Sequence, residues 1–301
     1  MRRLSLLAVV AAAGVAASSA SASFPGANGQ IAFAVQSNYF CGGVRPGLAA
    51  AVYSFKPSAG VTAVDFNDPL LRRAGDPDWS PSGARLAAAR YVPIYGHSGM
   101  GYDTKGVFTT LADATHRTTL TTHGLAPAWS GEGRQIAYAG DERGLRVIGT
   151  RGGRSRLLDS HRVLDVDWSA RGKIAYTRGF YSIYTIDPNG RHRRFVVHGL
   201  EPDWSPDGRQ LVFRESAGGI AIVNANGTGF HEIRHDARGF SPVWSPDGTQ
   251  IAFTENSDTI DGDVFVMNSD GTGERQVAEL TPDPCGDESL VTNLDWQRVA
   301  P

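Results

Sequence analysis

The stretch EPDWSPDGRQLVF, residues 201–213, decides the fold of this chain. It reads as a short strand, a tight turn at Pro206-Asp207-Gly208 and an apolar second strand, because Pro presets the turn and Gly accepts its positive φ. Two further runs, GIAIVNA and FHEIRH, follow with a turn at Asn226-Gly227 between them. The unit therefore predicts a sheet of four antiparallel strands.

Similar phrases surround all six tryptophans of the chain. They are Trp79, Trp129, Trp168, Trp204, Trp244 and Trp296, and neighbouring copies are 36 to 52 residues apart. A period near 40 residues is typical of propeller blades or of helical repeats. The units contain short β-branched and aromatic runs without a sustained 3.6-residue pattern, which favours strands. We therefore predict an all-β fold, a six-bladed β-propeller of four-stranded antiparallel blades, with the tryptophans as structural residues that pack between blades.

The last copy of the phrase, NLDWQ at 293–297, is not followed by a second strand. A matching strand, NGQIAFAVQ, stands instead near the start of the chain at 28–36. We expect 30–35 to be the second strand of the last blade, 52–55 its third strand and 293–297 its innermost strand. The N-terminal strand would then close the ring and remove exposed sheet edges.

The phrase P-x-W-S-P-D-G-x-x-I-A-F resembles the WD40-like repeat, or PD40 repeat, of the TolB-type β-propeller family. The turns at Trp204 and Trp244 match it in full, whereas those at Trp129 and Trp168 depart from it after the serine. The resemblance covers nearly the whole chain after residue 22. The same repeat occurs in prolyl oligopeptidase-like peptidases, but the G-x-S-x-G motif of a nucleophile elbow fails here at Met100. The resemblance implies the fold and leaves the function open, because propellers have unrelated activities.

Residues 1–22 have the pattern of a signal peptide: two arginines, an apolar run and an A-x-A-like site at Ala20–Ala22. We therefore expect residues 23–301 to form an exported propeller, secreted or located in the periplasm or cell envelope. The net charge of −2 gives no electrostatic case for nucleic acid. No later stretch is apolar enough for a membrane span, and we expect a monomer.

Cys41 and Cys285 are the two cysteines of the chain. In the predicted propeller both cysteines lie in connections on the same side of the last blade. An exported protein also meets oxidising conditions, in which disulfides form. We predict a disulfide between them.

Acidic residues recur one and three positions before the tryptophans, and alternate residues of a strand share a face. They are Asp76, Asp78, Asp165, Asp167, Glu201, Asp203 and Asp295. Because innermost strands line the central channel of a propeller, we predict an acidic channel mouth. Two interpretations stay open: internal hydrogen bonding between blades, or binding of a metal ion or a cationic partner group. No cofactor is predicted, and a divalent cation at the mouth is the alternative.

The stretch YVPIYGHSGMGYDTKG, residues 91–106, is predicted to be a long loop on the same face. Long loops on a rigid scaffold are often functional, and Tyr-rich loops form adaptable recognition surfaces. Its candidate binding residues are Tyr91, Tyr95, His97, Tyr102 and Asp103.

The leading hypothesis is a non-enzymatic binding or scaffold protein that recognises a protein, peptide or cell-envelope component on the face with the long loops and the channel mouth. The alternative is a metal-dependent, lyase-like carbohydrate-active enzyme with its site at the acidic mouth, since some TolB-like propellers are lyases.

Overall fold

The structure is a computed structural model. It describes residues 27–37, 50–57, 62–64, 71–72, 74–96, 99–140, 144–236, 239–257, 260–280 and 289–299. These residues contain 25 strands and no helix. The segment 1–22 and both cysteines, Cys41 and Cys285, lie outside the described residues.

In chain order the strands are β1 (Ala27–Ser37), β2 (Ala50–Phe55), β3 (Thr62–Val64), β4 (Leu71–Arg72), β5 (Ala74–Trp79), β6 (Arg85–Gly96), β7 (Gly99–Leu111), β8 (Thr118–Thr119), β9 (Leu125–Trp129), β10 (Gln135–Gly140), β11 (Gly144–Gly149), β12 (Arg156–Asp159), β13 (Val163–Trp168), β14 (Ile174–Arg178), β15 (Ser182–Ile186), β16 (Arg194–His198), β17 (Leu200–Trp204), β18 (Gln210–Arg214), β19 (Ile220–Asn224), β20 (His231–Arg234), β21 (Gly239–Trp244), β22 (Gln250–Ser257), β23 (Ile260–Asn268), β24 (Arg275–Leu280) and β25 (Ser289–Val299).

The strands form six sheets, the blades of a β-propeller. Blade 1 contains β5–β8, blade 2 β9–β12, blade 3 β13–β16, blade 4 β17–β20 and blade 5 β21–β24, while blade 6 has the order β25-β1-β2-β4. The innermost strands β5, β9, β13, β17, β21 and β25 contact one another in sequence, and β25 contacts β5. The six-bladed, all-β prediction is therefore confirmed.

Blade 6 is built from both ends of the chain, as predicted. Ile31 of β1 lies opposite Trp296 of β25 on one side and opposite Phe55 of β2 on the other. Blade 5 departs from the four-stranded expectation, because β3 pairs in parallel with β24, with Ala278 opposite Thr62. The N-terminal segment thus covers the outer edge of blade 5, where the backbone groups of β24 would otherwise lack strand partners.

The hydrophobic core lies mainly between neighbouring blades. One cluster joins Leu145 of blade 2 to Trp168 and Tyr176 of blade 3, and the next joins Ile183 of blade 3 to Trp204 of blade 4. The six tryptophan side chains are only 3–8% exposed. Each blade therefore buries its apolar face against its neighbour, as stacked repeats do.

The two faces of the ring carry different connections. We call the channel face the one with the connections from second to third strands, such as residues 179–181. The opposite face carries the turns that follow the tryptophans, such as residues 205–209. In these turns the serine accepts bonds across the loop: Ser205 Oγ accepts the N–H of Gln210 at 3.0 Å.

The structure of residues 91–106 differs from the long loop that the sequence predicts. It is a β-hairpin and not an irregular loop, since β6 and β7 pair from Arg85↔Leu111 as far as Gly96↔Gly99. Beyond Tyr91 the two strands pair, among the described residues, only with each other. The hairpin therefore extends blade 1 beyond the channel face.

Gly83 marks the closure between blade 1 and the C-terminal strand. Its φ is +67°, and a Cβ there would lie 2.0 Å from the carbonyl oxygen of Arg298. Gly133 occupies the same turn position in blade 2 with the same φ of +67°, and its nearest neighbour atom would lie at 3.9 Å. The two glycines differ only in what lies beside them.

We predict that Gly83→Ala destabilises the protein more than Gly133→Ala. Both alanines carry the strain of a positive φ, but only Gly83→Ala drives a methyl group into backbone, which adds about 1–3 kcal/mol. Chemical denaturation of both variants measures the difference. Equal losses would contradict the tight closure at Arg298.

Candidate channel site

The candidate site is the central channel, lined by the innermost strands of all six blades. The cavity in this channel has a volume of about 80 Å³, which is enough for a few water molecules or one small polar group. The polar lining residues are Asp76, Asp78, Asp165, Asp167, Glu201, Asp203, Ser241, Asn293 and Asp295. The structure thus brings all seven predicted carboxylates to one place.

A bulge interrupts every innermost strand at the third residue before its tryptophan. The register between first and second strands shifts there in all six blades. Five of these residues have positive φ: Asp76 (48°), Ala126 (46°), Glu201 (53°), Ser241 (49°) and Asn293 (52°). Side-chain-bearing residues adopt this conformation only at a cost of about 1–3 kcal/mol each. The repeated bulge frees their N–H groups to bond to the neighbouring blade.

These freed N–H groups form a first ring of bonds between blades. The side chain at this position in one blade accepts the backbone N–H at the same position in the next. The bonds run from Ala126 N to Asp76 Oδ2 (3.0 Å), Glu201 N to Asp165 Oδ2 (3.4 Å), Ser241 N to Glu201 Oε2 (2.7 Å) and Asn293 N to Ser241 Oγ (3.0 Å). The Asn293 amide also donates to Asp76.

A second ring uses the aspartate directly before each tryptophan. Its carboxylate accepts the backbone N–H of the tryptophan in the next blade. The bonds run from Trp129 N to Asp78 (2.6 Å), Trp204 N to Asp167 (2.6 Å), Trp244 N to Asp203 (2.8 Å) and Trp79 N to Asp295. The last of these closes the ring across the chain termini.

Two blades lack this aspartate, since they carry Ala128 and Val243 instead. The tryptophan after the first gap, Trp168, donates its N–H to Asp167 Oδ1 at 2.6 Å, within its own blade. Asp295 likewise accepts the N–H of the tryptophan that follows it. Four aspartates thus serve six tryptophan N–H groups, and the carboxylates act as acceptors between and within blades.

Two arginines balance part of the negative charge. Arg214 Nε lies 3.1 Å from Glu201 Oε2 in the first ring. The charge of Arg298 acts on Asp78, Asp167, Asp203 and Asp295 of the second ring and lowers their pKa values. The histidines before the innermost strands pair elsewhere: His161 lies 2.8 Å from Asp159, and His235 lies 2.7 Å from Glu232.

The six aspartates of the channel nevertheless have raised pKa values. Burial raises the pKa of Asp295 to about 6. Burial, with the charge of Glu201 beside it, raises the pKa of Asp165 to about 7. Burial and the charge of neighbouring aspartates raise the pKa values of Asp78 and Asp203 well above the ordinary value. Protons are therefore held in the channel near neutral pH.

The predicted loop residues fall in three groups. Tyr91 is buried, and its hydroxyl donates to Asp76 Oδ2 at 2.9 Å, so it links the hairpin to the first ring. Tyr95, Tyr102 and Asp103 lie in the extended hairpin, with Tyr95 opposite Met100 and Tyr102 opposite Pro93. His97 lies outside the described residues.

Sequence reasoning missed two exposed aromatic residues on the channel face. Phe180 and Tyr181, in the short connection of blade 3, are 68% and 52% exposed. The Arg162 guanidinium lies 5.4 Å from the Phe180 ring. The sequence does carry a signal for their exposure, namely two large aromatic residues in a short connection between strands. A connection of that length offers few neighbours against which their rings could pack.

Within the described part of the chain, no group of three or more His, Cys, Asp or Glu side chains has the arrangement of a metal site. No described helix is long and apolar enough to span a bilayer.

No family model matches the chain, and no curated protein matches it by sequence. The structure is similar to that of TolB from Acinetobacter baumannii, with a TM-score of 0.67 and 15% identity over 89% of this chain and 66% of that chain. It is also similar to a putative TolB from Agrobacterium tumefaciens, with a TM-score of 0.57 and 16% identity over 91% of this chain and 100% of that chain. The chain has the TolB-type propeller fold.

The similarity of this TolB-like propeller to the two solved structures concerns the fold alone, because the identities are 15% and 16%. The chain spans slightly less than two thirds of the Acinetobacter protein. The expected TolB-type architecture is confirmed by these structures, and the function must be argued from the site.

We predict that the TolB-like propeller loses stability as the pH rises from 5 to 8. A carboxyl group with a raised pKa in the folded state binds its proton more tightly there, so its contribution is complete below about pH 4 and is lost as the pH passes through the folded value. The stabilisation from protonated Asp165 is therefore lost as the pH passes about 7, and that from protonated Asp295 as the pH passes about 6. The melting temperature at pH 8 should be lower by about 4 °C or more. A flat profile from pH 5 to 8 would contradict the protonated channel.

We also predict different effects of two substitutions at Asp203. Asp203→Asn keeps an acceptor for the Trp244 N–H and removes a charge from a crowded ring, so stability at pH 8 should be unchanged or higher. Asp203→Ala leaves that N–H without its acceptor and should cost about 1–3 kcal/mol. Urea denaturation at pH 8 compares the two. Equal losses would show that the carboxylate does not act as a hydrogen-bond acceptor.

Proposed function

We propose that this propeller is an exported, non-enzymatic binding protein that recognises a protein, peptide or cell-envelope component on its channel face. The observation that carries the proposal is the asymmetry of that face around a polar channel mouth. Raised hairpins stand on one side of the mouth, and exposed aromatic side chains lie on the other.

The raised side is formed by blades 1 and 5, which flank blade 6. In blade 1 the paired strands β6 and β7 have 12 and 13 residues, and in blade 5 β22 and β23 have 8 and 9. The corresponding strands of blades 3 and 4 have 5 residues each. The longer hairpins form a wall beside the mouth, and such extensions on a rigid scaffold are suited to recognition.

The side of the mouth without long hairpins is formed by blade 3, where the side chains of Phe180 and Tyr181 are exposed to solvent. Exposed aromatic residues next to an arginine are typical of the residues that contribute most to protein interfaces. A partner that contacts both sides would lie across the channel mouth. Its chain would then meet the ring of carboxylates.

The chemistry of the mouth favours a cationic group of the partner. Seven carboxylates line the channel, and the raised pKa values of its aspartates reflect burial, to which repulsion between neighbouring carboxylates adds at Asp78, Asp165, Asp203 and Asp295. A lysine, arginine or terminal amine placed there would stabilise their ionised forms and release protons. Export, expected from the signal-like pattern of residues 1–22, would bring the domain of residues 23–301 to partners in the cell envelope.

The test compares recovery of partners from an envelope extract by four forms of the full chain. One variant replaces 94–101 with Asn-Gly, because Pro93 lies opposite Tyr102 and a two-residue turn fits that pair. The others are Phe180→Ala on the channel face and Phe230→Ala on the opposite face, both exposed phenylalanines, at 68% and 52%.

We predict that the shortened hairpin and Phe180→Ala each reduce the recovery of a specific partner at least ~10-fold, the size expected for loss of an interface anchor. Phe230→Ala should leave recovery unchanged, and thermal melts should show all variants folded. Recovery should also fall when the partner's basic segment is acetylated. Equal recovery by all four forms would remove the channel face as the binding site.

A further inference from the structure

The charge of the molecule is concentrated on two blades. Residues 144–198, which span the outer part of blade 2 and all of blade 3, contain eleven arginine and lysine residues and four aspartates. The rest of the chain contains eighteen basic and twenty-seven acidic residues. The net charge of −2 therefore hides a strongly basic sector, a feature that overall composition could not show.

Six arginines of this sector lie on blades 2 and 3, toward the opposite face and the outer edge. We call them the basic seam: Arg154, Arg156, Arg171, Arg191, Arg193 and Arg194, all of them exposed. Arg156 and Arg193 bridge the junction of these two blades, whereas Arg171 and Arg194 reach blade 4. Arg156 donates to the carbonyl of Pro188 in the next blade. Residue Gly190 of the same turn packs against Leu158 of β12. Arginines of both blades therefore reach across this junction.

Three of the seam arginines, Arg156, Arg171 and Arg194, donate to backbone carbonyl groups, which leaves their charge uncompensated by these bonds. Arg171 Nε donates to the carbonyl of Asp207 at 2.5 Å, and an Arg194 Nη donates to the carbonyl of Asn226 at 2.7 Å. Among the described residues, Arg193 alone of the six lies within salt-bridge distance of an acid, Asp159. Each anchored guanidinium keeps further N–H donors for a ligand.

The acids near the seam are few. Asp159 is buried beneath it and is paired with Tyr176, His161, Arg178 and Arg193. Asp187 is already paired with Lys173 and with His192 at 2.5 Å. Glu132 is the exposed acid on the adjoining turn of blade 2. Blades 4 and 5 contrast with this, since Arg234 there lies 3.0 Å from Glu255 and 3.1 Å from Glu274.

Two surface concavities at this junction are lined by arginine. One is bounded by Arg146, Arg154, Ser155, Arg156 and Leu157. The other lies between the turns of blades 2 and 3 and includes Arg134 and Arg171. Guanidinium groups at the rim of a concavity match carboxylate and phosphate oxygens, which they bind in pairs of hydrogen bonds.

We propose that the basic seam binds a flexible, linear anionic polymer with a carboxylate or phosphate on each repeat. Adjacent blades of a six-membered ring are rotated by about 60°, so a flexible chain follows the seam across both edges, whereas a flat membrane contacts only one. A nucleic acid duplex would meet repulsion from the acidic remainder of the chain. The seam lies away from the channel mouth, so this site is independent of the proposed partner site.

The test measures binding of the full chain to alginate, as a carboxylate source, and to polyphosphate, as a phosphate source, by fluorescence titration at 50 and 200 mM salt. Dextran is the neutral polymer, and a DNA duplex and anionic lipid vesicles are the competing classes. For about four neutralised charges, affinity should fall about 50-fold between the two salt concentrations. Alginate and polyphosphate distinguish the two sources of negative charge.

The decisive variant is Arg154→Glu with Arg191→Glu, because both side chains are exposed and neither forms a salt bridge within the described residues. The control is Arg90→Glu with Arg275→Glu, two exposed arginines of blades 1 and 5 with the same change in charge. The seam variant should bind the polymer at least ~10-fold more weakly, and the control less than ~3-fold. Equal losses in the two variants, no binding to either anionic polymer, or tighter binding to DNA or vesicles would overturn the proposal.

Discussion

The structure depends on one hydrogen bond, from the backbone N–H of a tryptophan to the carboxylate that ends the innermost strand of the preceding blade. This bond recurs between Trp129 and Asp78 at 2.6 Å and between Trp244 and Asp203 at 2.8 Å. It crosses a junction whose packing is mainly apolar, and together with the bonds of the first ring it fixes the relative position of two blades. The buried tryptophan belongs to the apolar cluster between the blades, and the aspartate positions the backbone of that tryptophan.

The same bonds explain the electrostatics of the channel. A carboxylate that accepts N–H groups at the centre of a ring lies among other carboxylates, so burial and repulsion raise the pKa values of Asp165 and Asp295. Arg298 offsets part of this effect on the second ring. The channel is thus a structural device first, and its charge is the basis of our proposal that it binds a cationic group. Both interpretations of the acidic residues can hold together, because hydrogen bonds along the wall leave the mouth electronegative.

The functional surfaces follow from how the blades differ, since the ring itself is nearly regular. Blades 1 and 5 raise long hairpins on the channel face, whereas blade 3 presents Phe180 and Tyr181 there. Blades 2 and 3 carry the basic seam toward their outer edge. These differences are the basis for proposing a protein or peptide partner on one side of the molecule and an anionic polymer on another. A rigid ring holds the two apart.

The sequence by itself determined the all-β class, the number of blades and the closing strand, because strand periodicity, turn residues and a repeat near 40 residues are local signals. It also placed the acidic residues at the channel, since alternation along a strand fixes the face of each side chain. Only the tertiary structure decided that Asp167 serves two tryptophans where Ala128 leaves a gap, that residues 91–106 continue a hairpin, and that β3 pairs with β24. It also brought Arg156 beside the turn at Pro188. These outcomes depend on contacts between residues distant in the chain, whose partners no local pattern specifies.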